Sequence, residues 1–437
     1  MEPAKNTTYL FSPQLLWGGL LFYIMLILPL SAVSQEKQET IPDGTEGETL
    51  MVLDSSSTKK KPWYMVDTRI STFKFGMGIL LEYAAYNPNE SMETQLDLLN
   101  GELKPTFDVR DFRFLVSGQL KTKRTISWKA AFMYDGSQDK PWFVRETGVM
   151  IATPEIWGHI FLGRTKEGIS LSKVMNGFSL PIMERQMAID HVPILADGIK
   201  WLGYLPKPGI VWNIGMYTDW VSKGQSFSTY KWQFVSRIAW LPIHSNEKNT
   251  TLHIGGNFRI GQPVDNLIRL KSRPESNPAP IVIDTGTFSS NQSTIFGGEI
   301  YYSTGSWMFG SEYYWHSFNS SVTNNPVFNG GELLATYIFT GGKRPYNTVG
   351  GIYTFIPIEK SVFKGGLGEI EGVIRFSSLD LNGGSISGGK YWRVTPMVNW
   401  YMSDNLRFEL AYGYGILNRY DLEGATHFFQ TRLQFMF

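Results

Sequence analysis

Cysteine does not occur in the 437-residue chain. Its absence removes a disulfide framework, thiolate metal sites, cysteine nucleophiles and the acylated cysteine of a lipoprotein together. An excess of either charge is also missing: 40 lysines and arginines stand against 39 acids, a net charge of +1. A nucleic-acid binder carries a basic excess or cluster, and none stands out. Six histidines are scattered without the H-E-x-x-H or paired spacing that holds a metal, so neither metal nor cofactor is expected. After Gln35 no apolar run approaches the ~18 residues of a helical membrane span. Length excludes one further class, since a plugged transporter barrel of ~22 strands does not fit.

Glycine (44 residues) and aromatics (14%) are plentiful, both above ordinary globular usage. The one long apolar run is residues 15–30, LLWGGLLFYIMLILPL, followed by Ser31-Ala32-Val33-Ser34. Ala32 and Ser34 are small residues at the positions a signal peptidase reads. Residues 1–34 are therefore expected to be a signal peptide, with a retained anchor as the alternative. Residues 35–66 begin acidic, carry Lys59-Lys60-Lys61, and read as a flexible periplasmic extension. Residues 67–437 remain for the folded domain.

That domain is written in period two. Phe435, Leu433, Thr431 and Phe429 share one side of the last segment, and Met436, Gln434, Arg432 and Gln430 the other, because side chains alternate along a strand. Upstream, Trp392, Val394, Val398 and Trp400 oppose Arg393, Thr395 and Asn399; Phe408, Leu410, Tyr412 and Tyr414 oppose Arg407, Glu409 and Ala411. Phe73 to Tyr83 and Phe112 to Tyr134 repeat the code. Seventeen such segments are readable. An antiparallel barrel with both ends in the periplasm needs an even number. Segment 346–357, with its Gly350-Gly351 pair, is therefore assigned to a long periplasmic connection over 341–366. The fold class is all-β: a transmembrane antiparallel barrel of sixteen strands, apolar outside and polar within. Ser403-Asp404-Asn405 reads as a tight turn, and the Gly-rich stretches 379–389 and 418–426 as longer outward loops. Trp232, Trp240, Trp307, Trp315, Trp392 and Trp400 lie on the apolar faces, as in a membrane girdle. Phe437 ends the closing strand on the lipid side and is expected to be read by the barrel-insertion machinery.

Sixteen strands leave an aqueous channel. Parity places Lys74, Arg113, Lys129, Lys231, Arg237, Arg259, Arg375, Arg393, Arg407 and Arg432 on the polar faces. Glu82, Asp111, Asp135, Glu312, Glu332, Glu369, Glu371 and Glu409 share those faces. Either set can brace the wall by pairing across strands, or the cations can gather and select anions, since guanidinium matches phosphate with two parallel hydrogen bonds. Residues 166–195, KEGISLSKVMNGFSLPIMERQMAIDHVPIL, are too long and too apolar for an ordinary connection. This stretch is expected to fold into the barrel mouth as the constriction, with Lys166, Lys173 and Arg185 facing a permeating anion and Glu184 bracing Arg185 or repelling cations. The alternative is packing outside against a neighbouring subunit.

Three stretches carry a family resemblance. Thr340-Gly341-Gly342-Lys343-Arg344-Pro345-Tyr346 is similar to a TGE-x-RPY element of the phosphate-selective porin O/P family. Glu371 to Leu381, EGVIRFSSLDL, is similar to its WEL-x-x-RYS-x-LDL strand, with Ile370 where that family has tryptophan. Gly388-Gly389 and Asn399-Trp400-Tyr401 match its GG…NWY ending, and Met183-Glu184-Arg185 resembles its MER. The resemblance covers most of residues 109–437. It implies a sixteen-strand homotrimeric porin in outer-membrane lipid that takes up small anions, phosphate among them, past a ladder of arginines and lysines. A non-selective porin is one alternative. A barrel with an adhesive or enzymatic role is another; its one acid–histidine pair is Asp190-His191, with no G-x-S-x-G nearby.

Overall fold

The computed structural model describes residues 62–135, 141–225 and 227–437. The expected signal peptide and most of the expected extension lie outside the described residues. Sixteen antiparallel strands close into one barrel. In chain order they are β1 Thr72–Pro88, β2 Thr106–Leu120, β3 Ile126–Tyr134, β4 Thr147–Thr153, β5 Gly158–Thr165, β6 Ala196–Leu205, β7 Ile210–Thr218 and β8 Tyr230–Ser245. The circuit continues through β9 Thr250–Pro263, β10 Gln292–Thr304, β11 Trp307–Asn319, β12 Val327–Ile338, β13 Glu369–Gly383, β14 Ile386–Ser403, β15 Leu406–Arg419 and β16 Leu422–Met436. A short stretch, Trp142–Val144, prolongs the edge of β4 along β3. Each strand pairs with its neighbour in sequence, and β1 pairs with β16 from Gly78↔Met436 to Pro88↔Thr426. Closure leaves no open edge, the condition for a sheet to stand in lipid.

The faces fall as the alternation requires. Phe435 (37% exposed) and Leu433 (39%) point outward, while Arg393 (1%), Arg407 (2%) and Arg432 (4%) point inward. Trp240, Trp307 and Trp315 are exposed on the outer face. Phe437 does not fray. It exchanges backbone hydrogen bonds with Met77, and its ring packs 5.3 Å from Trp63 and 6.2 Å from Tyr64. Met65–Asp67 adds a short strand to β1 just below the point where β16 ends, so the last residues of the expected flexible extension belong to the sheet.

Connections at one end are 121–125, 154–157, 206–209, 246–249, 305–306 and 404–405; at the other they include 89–105, 166–195, 219–229 and 264–291. Short turns mark the periplasmic end of such barrels and longer loops the extracellular end. Two expectations need correction. The stretches 379–389 and 418–426 are not loops. β13 and β14 pair through Asn382↔Ser387 and Gly383↔Ile386, and β15 and β16 through Arg419↔Leu422. Their glycines serve close packing instead. A Cβ on Gly389 (φ +98°) would meet Ile283 at 3.0 Å, and one on Gly424 would sit 2.6 Å from Met92 Cα of helix α1, Glu90–Asp97. Lys231 is the second correction. The register shifts between Tyr230 and Trp232, and Lys231 is exposed rather than on the lumen face. The extra residue of a β-bulge breaks the alternation locally.

The long connection 339–368 sits at the short-turn end and turns back into the barrel. Its small hairpin, Tyr346–Asn347 with Ile352–Tyr353, is buried. Arg237 donates to the carbonyl of Gly351 at 2.7 Å, and Tyr346 Oη lies 2.6 Å from His253 Nδ1.

Candidate functional site

Residues 166–195 lie inside the barrel, nearly all of them buried. Three glutamates stand opposite one another across adjacent strands: Glu299 on β10, Glu312 on β11 and Glu332 on β12. Like charges directly opposite repel, so this row needs compensation, and the loop supplies part of it. Glu299 accepts from the Leu171 amide at 3.0 Å and pairs with Arg237 at 2.7 Å. Glu312 accepts from Ser170 Oγ (2.5 Å), the Ser172 amide (2.9 Å) and Gln186 Nε2 (2.8 Å). Ser170, Leu171 and Ser172 open the short helix α2, Leu171–Val174, whose first amides have no partner within the helix. Glu332 faces Arg375 at 3.7 Å.

The far side of the loop is held by its carbonyls. Arg407 donates to Leu180 (2.7 Å), Asn399 to Pro181 (2.7 Å), Arg344 to Ser179 (2.5 Å), Arg432 to Met183 and Arg375 to Glu184 (2.7 Å). The four arginine bonds among these are charge-assisted, the strong kind. Arg393 does the same for another inward segment, donating to the carbonyls of Pro274 (2.5 Å) and Glu275 (3.2 Å) in the 264–291 connection. Arg259 pairs with Glu167 at 2.7 Å. Thus Arg237, Arg259, Arg375, Arg393, Arg407 and Arg432 all face inward as parity requires, and all are engaged in ion pairs or in holding inward segments. Lys166 and Lys173 are also buried. Lys166 donates to Met175 O (2.9 Å), and Lys173 donates to Pro193 O (2.5 Å), which ties the two halves of the loop.

A different set keeps contact with solvent. Lys74 on β1, Arg113 on β2, Lys129 on β3, Lys200 on β6 and Arg185 on the loop are partly exposed. Arg110 joins them. The register shift between Leu80 and Leu81 leaves it as the extra residue of a bulge, beside Asp111. Arg110 bonds both oxygens of Glu184 (3.0 and 3.2 Å) and reaches Asp135 at 3.3 Å. A second irregularity lies on β4, where pairing moves from Phe132↔Val144 to Lys129↔Gly148 and turns both Arg145 and Glu146 inward. Strict alternation assigns one member of each pair to the outside, so Arg110 and Arg145 could be found only by recognising the bulges.

Arg113 and Arg185 converge on Gly177. Their nearest guanidinium nitrogens lie 3.5 and 3.9 Å from where a Cβ on that glycine would stand. Arg113 also lies over the Phe178 ring at 4.6 Å and bonds Asp111 at 2.7 Å. Burial within the barrel, and then the neighbouring Arg145 and Arg113, lower the pKa of Arg185 to about 10, which leaves it charged at neutral pH. Below this level Lys74 and Lys129 stand in one row, both opposite Ser117. Lys129 and Lys200 flank the ring of Phe161 at 5.7 and 5.3 Å. Glu184 braces Arg110 and Arg432 rather than Arg185; Arg185 donates to the carbonyls of Ser172 and Met175.

The acid–histidine pair of the sequence does not form a dyad. Asp190 accepts from Ser272 Oγ at 2.5 Å, and the His191 ring lies 6.0 Å from that of His316. Among the described residues no group of three or more His, Cys, Asp or Glu side chains is placed to hold a metal ion.

Known proteins share this architecture. A trimer form of OmpT from Vibrio cholerae covers 84% of the chain and 99% of its own, at 11% identity and a TM-score of 0.50. An anion-selective porin from Comamonas acidovorans covers 84% and 100%, at 10% identity and TM-score 0.53. Salmonella typhi OmpF covers 85% and 100%, at 10% identity and TM-score 0.54. At these identities the likeness is one of fold. In sequence, an uncharacterised protein of Caulobacter vibrioides is 29% identical over 181 residues, 40% of the chain, and the chain spans about a third (35%) of that relative's length. A sequence model of the phosphate-selective porin O and P family matches residues 93–437, and the chain belongs to that family of outer-membrane porins.

Proposed function

We propose that the channel passes small anions along a cationic track between the β1–β6 wall and loop 166–195, which forms the constriction. The observation that supports this reading is a difference in access. Most inward acids, Glu82, Asp111, Asp135, Glu146, Asp197, Glu299, Glu312, Glu332, Glu371 and Glu409, are each at most 4% exposed, while Asp108 on β2, opposite Glu82, and Asp190 of the loop keep contact with solvent. Lys74, Arg110, Arg113, Lys129, Arg185 and Lys200 remain in reach of a permeating ion, and of the loop's acids Glu184 and Asp190 share that access; the accessible cations outnumber the accessible acids along this wall. Selectivity follows the charges that a permeant ion meets at close range. On β2, Arg110, Arg113 and Ser117, which neighbours Lys74 and Lys129, descend in order. At ~3.3 Å per residue successive cationic levels are on the order of 10 Å apart, close to the ~8 Å screening length at physiological salt. An anion leaving one level is therefore already within the field of the next. Phosphate is a fitting cargo, because paired guanidiniums such as Arg113 and Arg185 suit a tetrahedral oxyanion.

Assembly as a homotrimer is inferred from the trimer form of the Vibrio cholerae neighbour. Asp190 is taken up by Ser272 and the His191 ring lies beside His316, which favours a channel without enzymatic activity. Reversal potentials in a potassium chloride gradient across a planar bilayer test the main reading. Wild type should be anion-selective, and Arg110→Gln combined with Arg113→Gln and Arg185→Gln should move the potential toward zero. A cation-selective or indifferent wild-type channel would overturn it.

A further inference from the structure

We propose that the Arg113 and Arg185 level of the anion track, together with an apolar cavity on its periplasmic side, forms a binding site for organic anions with an apolar body, such as aryl phosphates or aromatic carboxylates. This rests on the anion-channel reading and names its substrate class. A cavity of about 210 Å³ lies at the short-turn end of the barrel. Phe178 of the loop, Phe355, Ile356 and Ile358 of the 339–368 connection, and Leu406 and Met436 from strand ends form its apolar wall. An apolar cavity of ~150 Å³ already accommodates benzene.

Phe178 joins this cavity to the cations. The guanidinium of Arg113 lies 4.6 Å from the centre of its ring, and that ring is also part of the cavity wall. The track thus meets an apolar chamber at one shared side chain. The polar residues of the lining are Thr354, Tyr401, Gln434 and Arg407, with Ser403 and the turn residues Asp404 and Asn405, the last two exposed to solvent. Gln434 and Arg407 are turned to the loop, Gln434 donating to Phe178 O at 3.0 Å and Arg407 to Leu180 O at 2.7 Å. Arg407 is further paired with Glu409 at 2.5 Å. The chamber therefore offers apolar surface, and the charge that holds an acid head comes from Arg113 and Arg185. A bare inorganic phosphate gains nothing from such walls, since apolar contact strips its hydration without replacing it. A phosphate or carboxylate bearing a ring gains from both parts, the head at the guanidiniums and the ring against Phe178 and Phe355.

The test is block of chloride current through the reconstituted full-length channel by phenylphosphate and by inorganic phosphate, at mildly alkaline pH where both are dianions. Burying about 60 Å² of ring surface corresponds to roughly tenfold in affinity. Phenylphosphate should half-block at roughly one-tenth the concentration that phosphate needs. Phe355→Ser and Ile358→Ser, partly exposed positions on the connection, should bring the two compounds together and leave the chloride reversal potential unchanged. Equal block of wild type by both compounds, or a preference that survives both substitutions, would overturn the site alone. A cation-selective reversal potential would overturn the anion reading and the site with it.

Discussion

Glu312→Ala should release the loop that fills the lumen. Among the donors that converge on this carboxylate are Ser170 Oγ, the Ser172 amide, Gln186 Nε2 and the hydroxyls of Tyr301 and Tyr314, with Ser172 Oγ further off at 3.5 Å. The first three belong to the loop. A buried donor left without its acceptor costs about 1–3 kcal/mol. Water from the lumen can reach an emptied site, so the low end applies, and three donors give about 3 kcal/mol. Each ~1.4 kcal/mol is a factor of ten, so the balance between docked and released loop should shift about 100-fold. Relief of repulsion from Glu299 and Glu332 works in the other direction. Glu312→Gln separates the two effects, because it removes the charge and keeps an acceptor oxygen. Single-channel recording in planar bilayers reads the outcome directly. The alanine variant should spend long periods at a conductance above the wild-type level, and the glutamine variant should do so far less. If Glu312→Ala recorded like wild type, or if the glutamine variant opened as widely, the idea that these hydrogen bonds hold the loop would fail.

Deletion of residues 170–190 should raise conductance in every channel permanently, and unchanged conductance would show that the loop does not narrow the pore. Lys173 gives a pH dependence: burial first, then the nearby Arg259, Arg185 and Lys166, bring its pKa down to about 7 against the pull of Glu167. Its charged form is disfavoured in place, so loop docking should be strongest above the unperturbed lysine value of ~10.4, weaken as pH falls toward 7, and change little below. Loop-opening events counted between pH 10 and pH 6 check the sign. Trp63→Ala should lower the temperature at which the barrel unfolds in detergent, since an aromatic pair such as Trp63–Phe437 contributes about 0.5–1.5 kcal/mol; an unchanged transition would remove the seam from the account. Gly351→Ala should dislodge the 339–368 hairpin, because φ is +62° and a Cβ would stand 2.7 Å from Val211. Proteolysis at 346–353 is the readout, and wild-type resistance would refute it.

The wall of this barrel is legible in the sequence because lipid and water impose opposite demands on alternate residues. Phe435 against Arg432 and Trp400 against Asn399 state those demands within a few positions. Two kinds of feature escape the rule. Bulges at Arg110 and Arg145 add a residue without any compositional mark, so the alternation restarts in the opposite phase. Glycine-rich strand ends at 384–389 resemble loops, because the segments that require their missing side chains, Ile283 for one, lie far away in sequence. What an inward arginine does is also beyond parity. Arg393 reaches the carbonyls of Pro274 and Glu275, more than a hundred residues away, and no local pattern distinguishes it from Arg113, which stays in reach of the pore.

The crowding of fasteners on β7–β16 has a consequence for how such a pore can change. Substitutions there, at Arg375, Arg407 or Glu312, should disturb the segments that lie inside the barrel. Lys74, Lys129 and Lys200 sit on the opposite arc and keep contact with solvent. On the proposed anion reading, variation at those three sites would retune which solutes cross while the scaffold keeps its form, and new preferences would lie within a few mutations of the old one.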